Sequence, residues 1–217
     1  MTSRTKHIVM NKIFFIDTVT TGMNPERCSI YRIGGIYTED AVEKERFEFR
    51  MRPFRNARIN EQSLWITGET RSSLLVYKDE SDAFRDFIAF LDDKVDIRNP
   101  RDKAYIAGFN AASMDVPFLR EWFRRNGNER FRDYFHVQTM DIMNMSAFAL
   151  LHERQGMPDF HLETVARSLQ VTDRSGAVYD CVENARLSLG IFRKLQERFG
   201  TGECEDTAPA EGMTRNF

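Results

Sequence analysis

An α/β fold, a sheet with helices packed against it, is predicted by three observations. The chain reads in the order strand, strand, strand, helix, strand and then helices. Its first three strand-like runs are joined by links too short for a crossover, which makes them antiparallel. Its 217 residues are 41% hydrophobic and carry 18 Phe against 6 Tyr and 2 Trp, so the aromatic weight is apolar filler for one substantial core.

Lys12 to Asp17 (KIFFID) is an apolar run of strand length that ends in an acid, and the Thr, Gly and Pro residues of Thr18 to Pro25 stop it there. Ser29 to Tyr37 and Glu45 to Arg52 alternate, with β-branched and aromatic residues, and read as two further strands around a short acidic turn near Glu39 and Asp40. Ser81 to Val95 places Phe84, Phe87, Ile88 and Leu91 at helical spacing behind Ser81 as cap. After the polar loop Ile97 to Lys103, Ala104 to Phe109 reads as a strand, followed by a helix on which Val116, Leu119, Trp122 and Phe123 recur. From there the pattern is mainly helical: Asp141 to Glu153, Leu162 to Leu169, and a long apolar face over Tyr179 to Phe199. Residues 1–199 are expected to form one domain, and the small, polar, acidic 200–217 a disordered tail.

With 31 Lys and Arg against 33 Asp and Glu, the net charge of −2 argues against a uniformly basic protein that coats nucleic acid, while leaving room for a local basic patch. The first residues hold no apolar run of signal-peptide length and no window reaches the length of a membrane span, so a cytoplasmic protein without a membrane partner is expected. Cys28, Cys181 and Cys204 are widely spaced and suggest neither a disulfide framework nor a zinc site.

Three acids stand where chemistry collects: Asp17 at the end of the first strand, Asp115 at the start of the helix after the fourth strand, and Asp180 at the start of the last helix. Carboxylates brought together by a fold repel unless a divalent cation lies between them, and hard cations held by carboxylate oxygens serve in-line attack on a phosphodiester. The bland alternative is that each is an aspartate capping a helix.

The segments FIDTVTTG (Phe15 to Gly22), GFNAASMDVPFL (Gly108 to Leu119) and HLETVARSLQV with SGAVYDCVENARL (His161 to Leu187) resemble, in order and spacing, the three motifs of the DnaQ-like (DEDD) 3'→5' exonucleases. The resemblance runs from about Ile13 to Leu195 and includes ARINEQSLWITGET (Ala57 to Thr70). It implies an RNase H-like mixed sheet, with three antiparallel N-terminal strands, further parallel strands and helices on both faces. It also implies Mg²⁺ or Mn²⁺ on Asp17, Asp115 and Asp180, and action on nucleic-acid 3' ends, with DNA versus RNA and the oligomeric state left open.

Two positions depart from the family. Its Glu two residues after the first Asp is here Val19, which neither ligates a cation nor accepts a proton, and the His five residues before the last Asp is Ser175, a poor base at neutral pH. The family's other branch has a Tyr four residues before the last Asp, where Gly176 stands; Tyr179 with Glu183 has that spacing if the register slips by three. The resemblance therefore implies an exonuclease whose hydrolysis is weakened or lost, with a catalytically inactive interaction or regulatory module as the alternative. Asp173 is a conceivable substitute base or an exposed loop acid, and His161 a first-turn residue. Thr20, Thr21, Gly22 and Met23 match the place where the family packs the terminal nucleotide, and Asn110 adjoins the second motif. The run with Arg120, Arg124, Arg125, Arg130 and Arg132 interleaves Trp122, Phe123 and Phe131, which reads either as a guide for a single strand or as a solvated helix face.

Overall fold

The computed structural model describes residues 11–172 and 179–200. Strands β1 (Lys12–Thr20), β2 (Ile30–Glu39) and β3 (Val42–Arg50) are followed by helices α1 (Glu61–Ile66), α2 (Arg71–Leu74) and α3 (Glu80–Lys94). Then come β4 (Ala104–Gly108), α4 (Asp115–Arg125), α5 (Phe131–Tyr134), β5 (Phe135–Asp141), α6 (Ile142–Ala149), α7 (Leu162–Ser168) and α8 (Cys181–Gly200). The sheet order is β3-β2-β1-β4-β5, with β2 antiparallel to both β1 and β3, and β4 parallel to both β1 and β5. This is the RNase H-like α/β arrangement that the motifs imply.

β1 is the central strand and is covered on both sides, which is why KIFFI reads as a continuous apolar run. Phe14 and Ile16 point into one layer, with Phe84, Phe87 and Leu91 of α3 and Trp122 and Phe123 of α4. Ile13 and Phe15 point into the other, with Ile142, Val165, Ile191 and Leu195 from α6, α7 and α8. In the first layer Trp122 stacks on Phe87 at 5.3 Å between ring centroids and meets Phe84 edge-on at 5.1 Å. The β2–β3 hairpin turns at Asp40 and Ala41, both at positive φ (49° and 60°), the backbone hand that suits a two-residue hairpin. β3 is an edge strand, and its Lys44, Glu45, Arg46 and Glu48 make that edge a poor template for another chain.

Three sequence expectations are corrected. Asp17 lies inside β1, three residues before its end, because Thr18 to Thr20 continue the pairing with β2. Helix α3 is capped by Asp79, whose side chain accepts from the Ser81 amide, rather than by Ser81. The pattern reading also passed over β5, whose outward Val137, Gln138 and Thr139 break the strand alternation. Asp141 at its end caps α6 and accepts from the Ala112 amide at 3.0 Å, tying the loop before α4 to the sheet. No helix among the described residues is long and apolar enough to cross a membrane. Most of the proposed tail, from residue 201, lies outside the described residues, as does Cys204.

Candidate nucleic-acid site

Asp17 faces the same side of the sheet as its β2 partner, Gly34. A β-carbon on Gly34 would lie 2.7 Å from the Cys181 β-carbon, so the bare glycine lets the first turn of α8 rest directly on the sheet beside Asp17. Three groups from that end of α8 then reach the Asp17 carboxylate. The Tyr179 hydroxyl donates to Oδ2 at 2.7 Å, the Asn184 side-chain amide donates to the same oxygen at 3.2 Å, and the Cys181 thiol lies close enough to favour the ionised carboxylate.

Asp115 opens α4 and is only 4% exposed. Its Oδ1 accepts from both the amide (2.8 Å) and the hydroxyl (2.6 Å) of Thr18, the residue that follows Asp17. One residue thus ties the two acids together. Burial pushes Asp115 up to about 8, helped by the negative charge of Asp17 and opposed by the Thr18 bonds. Burial likewise raises Asp17 to about 6 against the hydrogen bonds from Tyr179, Asn184 and Cys181 and the more distant attraction of Arg32. The two carboxyls titrate as a pair that retains a proton near neutrality. Burial, and after it the charge of Asp17, holds the Tyr179 phenol and the Cys181 thiol far above their ordinary ranges, so both stay neutral donors.

Asp180 is placed differently. Its Oδ1 accepts from the Glu183 amide at 2.8 Å, the helix-capping role, and its Oδ2 faces Nη2 of Arg32 at 3.4 Å. Arg32 lies on β2, is 9% exposed, and donates from Nε to Glu48 at 3.0 Å. Among the described residues no three His, Cys, Asp or Glu side chains gather as a group able to hold a metal ion. The expected meeting of Asp17, Asp115 and Asp180 on one cation is therefore replaced by a pair of acids and, beside it, an acid turned to a guanidinium. Val19 is buried against Tyr31, Leu64, Leu74 and Cys181, and sits directly opposite Arg32 in the β1–β2 register. Among the described residues the donor set does not fit the two-cation arrangement that phosphodiester hydrolysis uses: Asp17 and Asp115 each have one oxygen engaged by protein donors, and Asp180 faces Arg32.

The other candidate residues divide. Thr21 is fully buried, its hydroxyl donating to the Arg58 carbonyl and accepting from the Ser29 amide, and Gly22 packs against Cys28; both shape the loop from beneath. The Thr20 hydroxyl donates to the Gly22 carbonyl, and Met23 is 73% exposed at the loop surface. Asn110 adopts positive φ (63°) in the turn that leads into α4. Of the arginine run, Trp122, Phe123 and Phe131 are core residues with no face for a base. Arg124 pairs with Glu121, and Arg125 bonds Glu80 and the Pro25 carbonyl while lying over Phe54. His161 opens α7 and is exposed. Ser175, Asp173 and Gly176 lie outside the described residues. In the slipped register, Tyr179 does reach the site, while the Glu183 carboxylate takes the Arg186 guanidinium at 2.7 Å. Sequence reasoning missed Arg32, Thr18, Cys181 and Asn184; of these only Arg32, a lone charge within the buried strand IYRIGGIY, carried a signal.

Residues 14–188 match the family model described as exonuclease, RNase T type. Among solved structures, exonuclease I from Methylocaldum szegediense superposes with a TM-score of 0.69 at 18% identity, covering 88% of this chain and 41% of the other. Exonuclease I of E. coli in complex with a dA16 oligonucleotide gives 0.69 at 20% identity, covering 88% and 42%. A zinc-bound E. coli exonuclease I complex with single-stranded DNA gives 0.69 at 18%. The chain spans about two fifths of the length of these proteins, and the likeness shows their fold. No curated protein matches by sequence. The family match covers most of the chain, and its range includes Asp17, Asp115 and Asp180: the chain belongs to the exonuclease family, in the DnaQ-like superfamily with its RNase H-like fold.

Proposed function

We propose that this protein binds the 3' end of single-stranded nucleic acid over Asp17 and Asp115, and that its hydrolytic step is strongly weakened or lost. The observation that carries the reading is the occupation of the Asp17 carboxylate by Tyr179 and Asn184, with buried Val19 in the place of the family's Glu. Hydrolysis needs a water activated beside an anionic site. Here the ligand at position 19 is gone, and a general base, worth about 10² to 10⁴ in rate, has no His at position 175. Binding is less affected. Burial, which raises both Asp17 and Asp115, keeps their combined charge low near neutrality and so lowers their repulsion of a phosphate. The oligonucleotide complexes of the structurally similar E. coli exonuclease I support single-stranded nucleic acid as the partner class.

The deciding assay incubates the protein with 3'-labelled single-stranded DNA and RNA in Mg²⁺ and in Mn²⁺, beside Asp17→Ala and a Val19→Glu/Ser175→His variant. Saturable binding by the parent with no release of the terminal nucleotide is the expected result. Family-typical turnover that disappears in Asp17→Ala would refute the loss of hydrolysis, and absence of binding to either polymer would refute the partner.

A further inference from the structure

We infer that Arg32 is the resident cation of this acid site, holding Asp180 in place of a divalent ion and keeping such an ion out. This inference rests on the site reading above. Arg32 stands directly across from Val19 on the β1–β2 ladder, and Gly34, two residues along β2 and on the same face, stands across from Asp17. The guanidinium therefore projects on the sheet face that carries the acids, under the first turn of α8, at the position facing the one where the family carries its glutamate.

The charge arrangement completes the case. Arg32 donates to Glu48 at 3.0 Å, but that carboxylate is shared with Arg50, which donates to its other oxygen at 2.6 Å. Glu48 thus stands between two arginines, and the remaining positive charge of Arg32 is directed at Asp180 at 3.4 Å. A buried guanidinium cannot shed its proton, so this cation is permanent. A divalent ion beside Asp17 would have to approach it, since the Arg32 charge already acts on the Asp17 carboxylate, and like charges in a half-buried site repel. The same geometry gives Val19→Glu a destination: the new carboxylate would emerge opposite Arg32 and pair with it, on the cross-strand spacing that joins opposite charges. Restoring the glutamate alone would make an ion pair, not a metal site.

The test titrates Mn²⁺ into the full chain and reads free Mn²⁺ by electron paramagnetic resonance and the unfolding midpoint by circular dichroism. The variants are Asp17→Asn, Val19→Glu, Arg32→Gln and Val19→Glu/Arg32→Gln. Neither the parent nor Val19→Glu should show saturable binding or a shifted midpoint over the titrated range, whereas the double variant should bind Mn²⁺ saturably and unfold at a raised midpoint. Saturable binding by the parent that Asp17→Asn abolishes would overturn the inference, and so would a folded double variant with no gain over Val19→Glu. Should the double variant fail to fold, the comparison of the parent with Asp17→Asn decides alone. No nucleic acid enters the titration, so its outcome is separate from that of the binding assay.

Discussion

Replacing Asp115 by Asn should stabilise the protein, and should do so only at neutral and alkaline pH. Burial and the charge of Asp17 raise Asp115 from 3.8 to about 8, and Asp17 itself is raised to about 6. A folded-state value above the unfolded one means that the protonated carboxyls favour the fold below about pH 4, and that this advantage is lost as the pH climbs through 6 and then 8. At about 1.4 kcal/mol for each pH unit, the ionised pair costs the parent on the order of 5 kcal/mol at pH 9, shared between two coupled groups. Asparagine keeps the geometry: its carbonyl oxygen accepts from the amide and hydroxyl of Thr18 as Oδ1 does now, and its NH₂ can face Asp17. The other ionisable groups around Asp17, namely Tyr179 and Cys181, stay neutral, and Arg32 stays charged throughout. Urea unfolding followed by circular dichroism at pH 3, 6, 7.5 and 9 should give parent and variant of nearly equal stability at the acid end. The variant should be ahead by about 3 kcal/mol or more at the alkaline end. A difference that does not change with pH, or a variant less stable at pH 9, would refute the account of the paired acids.

Tyr179→Phe removes the 2.7 Å donor from Asp17 and should cost about 1–3 kcal/mol, more at pH 9 than at pH 5 because the bond serves the ionised form; pH-resolved unfolding measures it. Gly34→Ala drives a methyl to 2.7 Å from the Cys181 β-carbon and should cost about 1–3 kcal/mol by lifting α8 off the sheet, which thermal unfolding would show. Phe87→Ala, in the aromatic layer beside Trp122, should cost about 3–5 kcal/mol in the same assay. Of the two tryptophans, Trp65 is 80% exposed and Trp122 fully buried, so acrylamide should quench only part of the native fluorescence, and Trp65→Phe should remove that part.

Where both faces of a strand are packed, the sequence shows it directly. KIFFI reads as a strand because Phe14 and Ile16 enter one layer while Ile13 and Phe15 enter the other, and the period of α3 is visible because Phe84, Phe87 and Leu91 all face one core. β5 escaped because the consecutive Val137 and Gln138 are both exposed, at the irregularity in its pairing with β4, so the alternation of a strand is broken there. The arginine run misled for the complementary reason. An amphipathic helix alternates arginines with aromatics whether those aromatics meet bases or a core, and burial of Trp122, Phe123 and Phe131 decides for the core.

The site was legible as a list of positions and illegible as a set of engagements. Spacing along the chain locates Asp17, Asp115 and Asp180, but which donor each carboxylate oxygen accepts depends on how α8 lies against β2, which Gly34 permits and no local motif encodes. Val19 is the clearest case. Taken alone it is a subtraction, a ligand replaced by a methyl-bearing side chain. Taken with the residue across the ladder it gains a context: the uncharged Val19 on β1 faces a positive charge, Arg32, on β2. Asp180, left facing that positive charge, takes it as its partner. Such cross-strand pairings are invisible to a reading that proceeds along the chain, because they run perpendicular to it, from strand to strand.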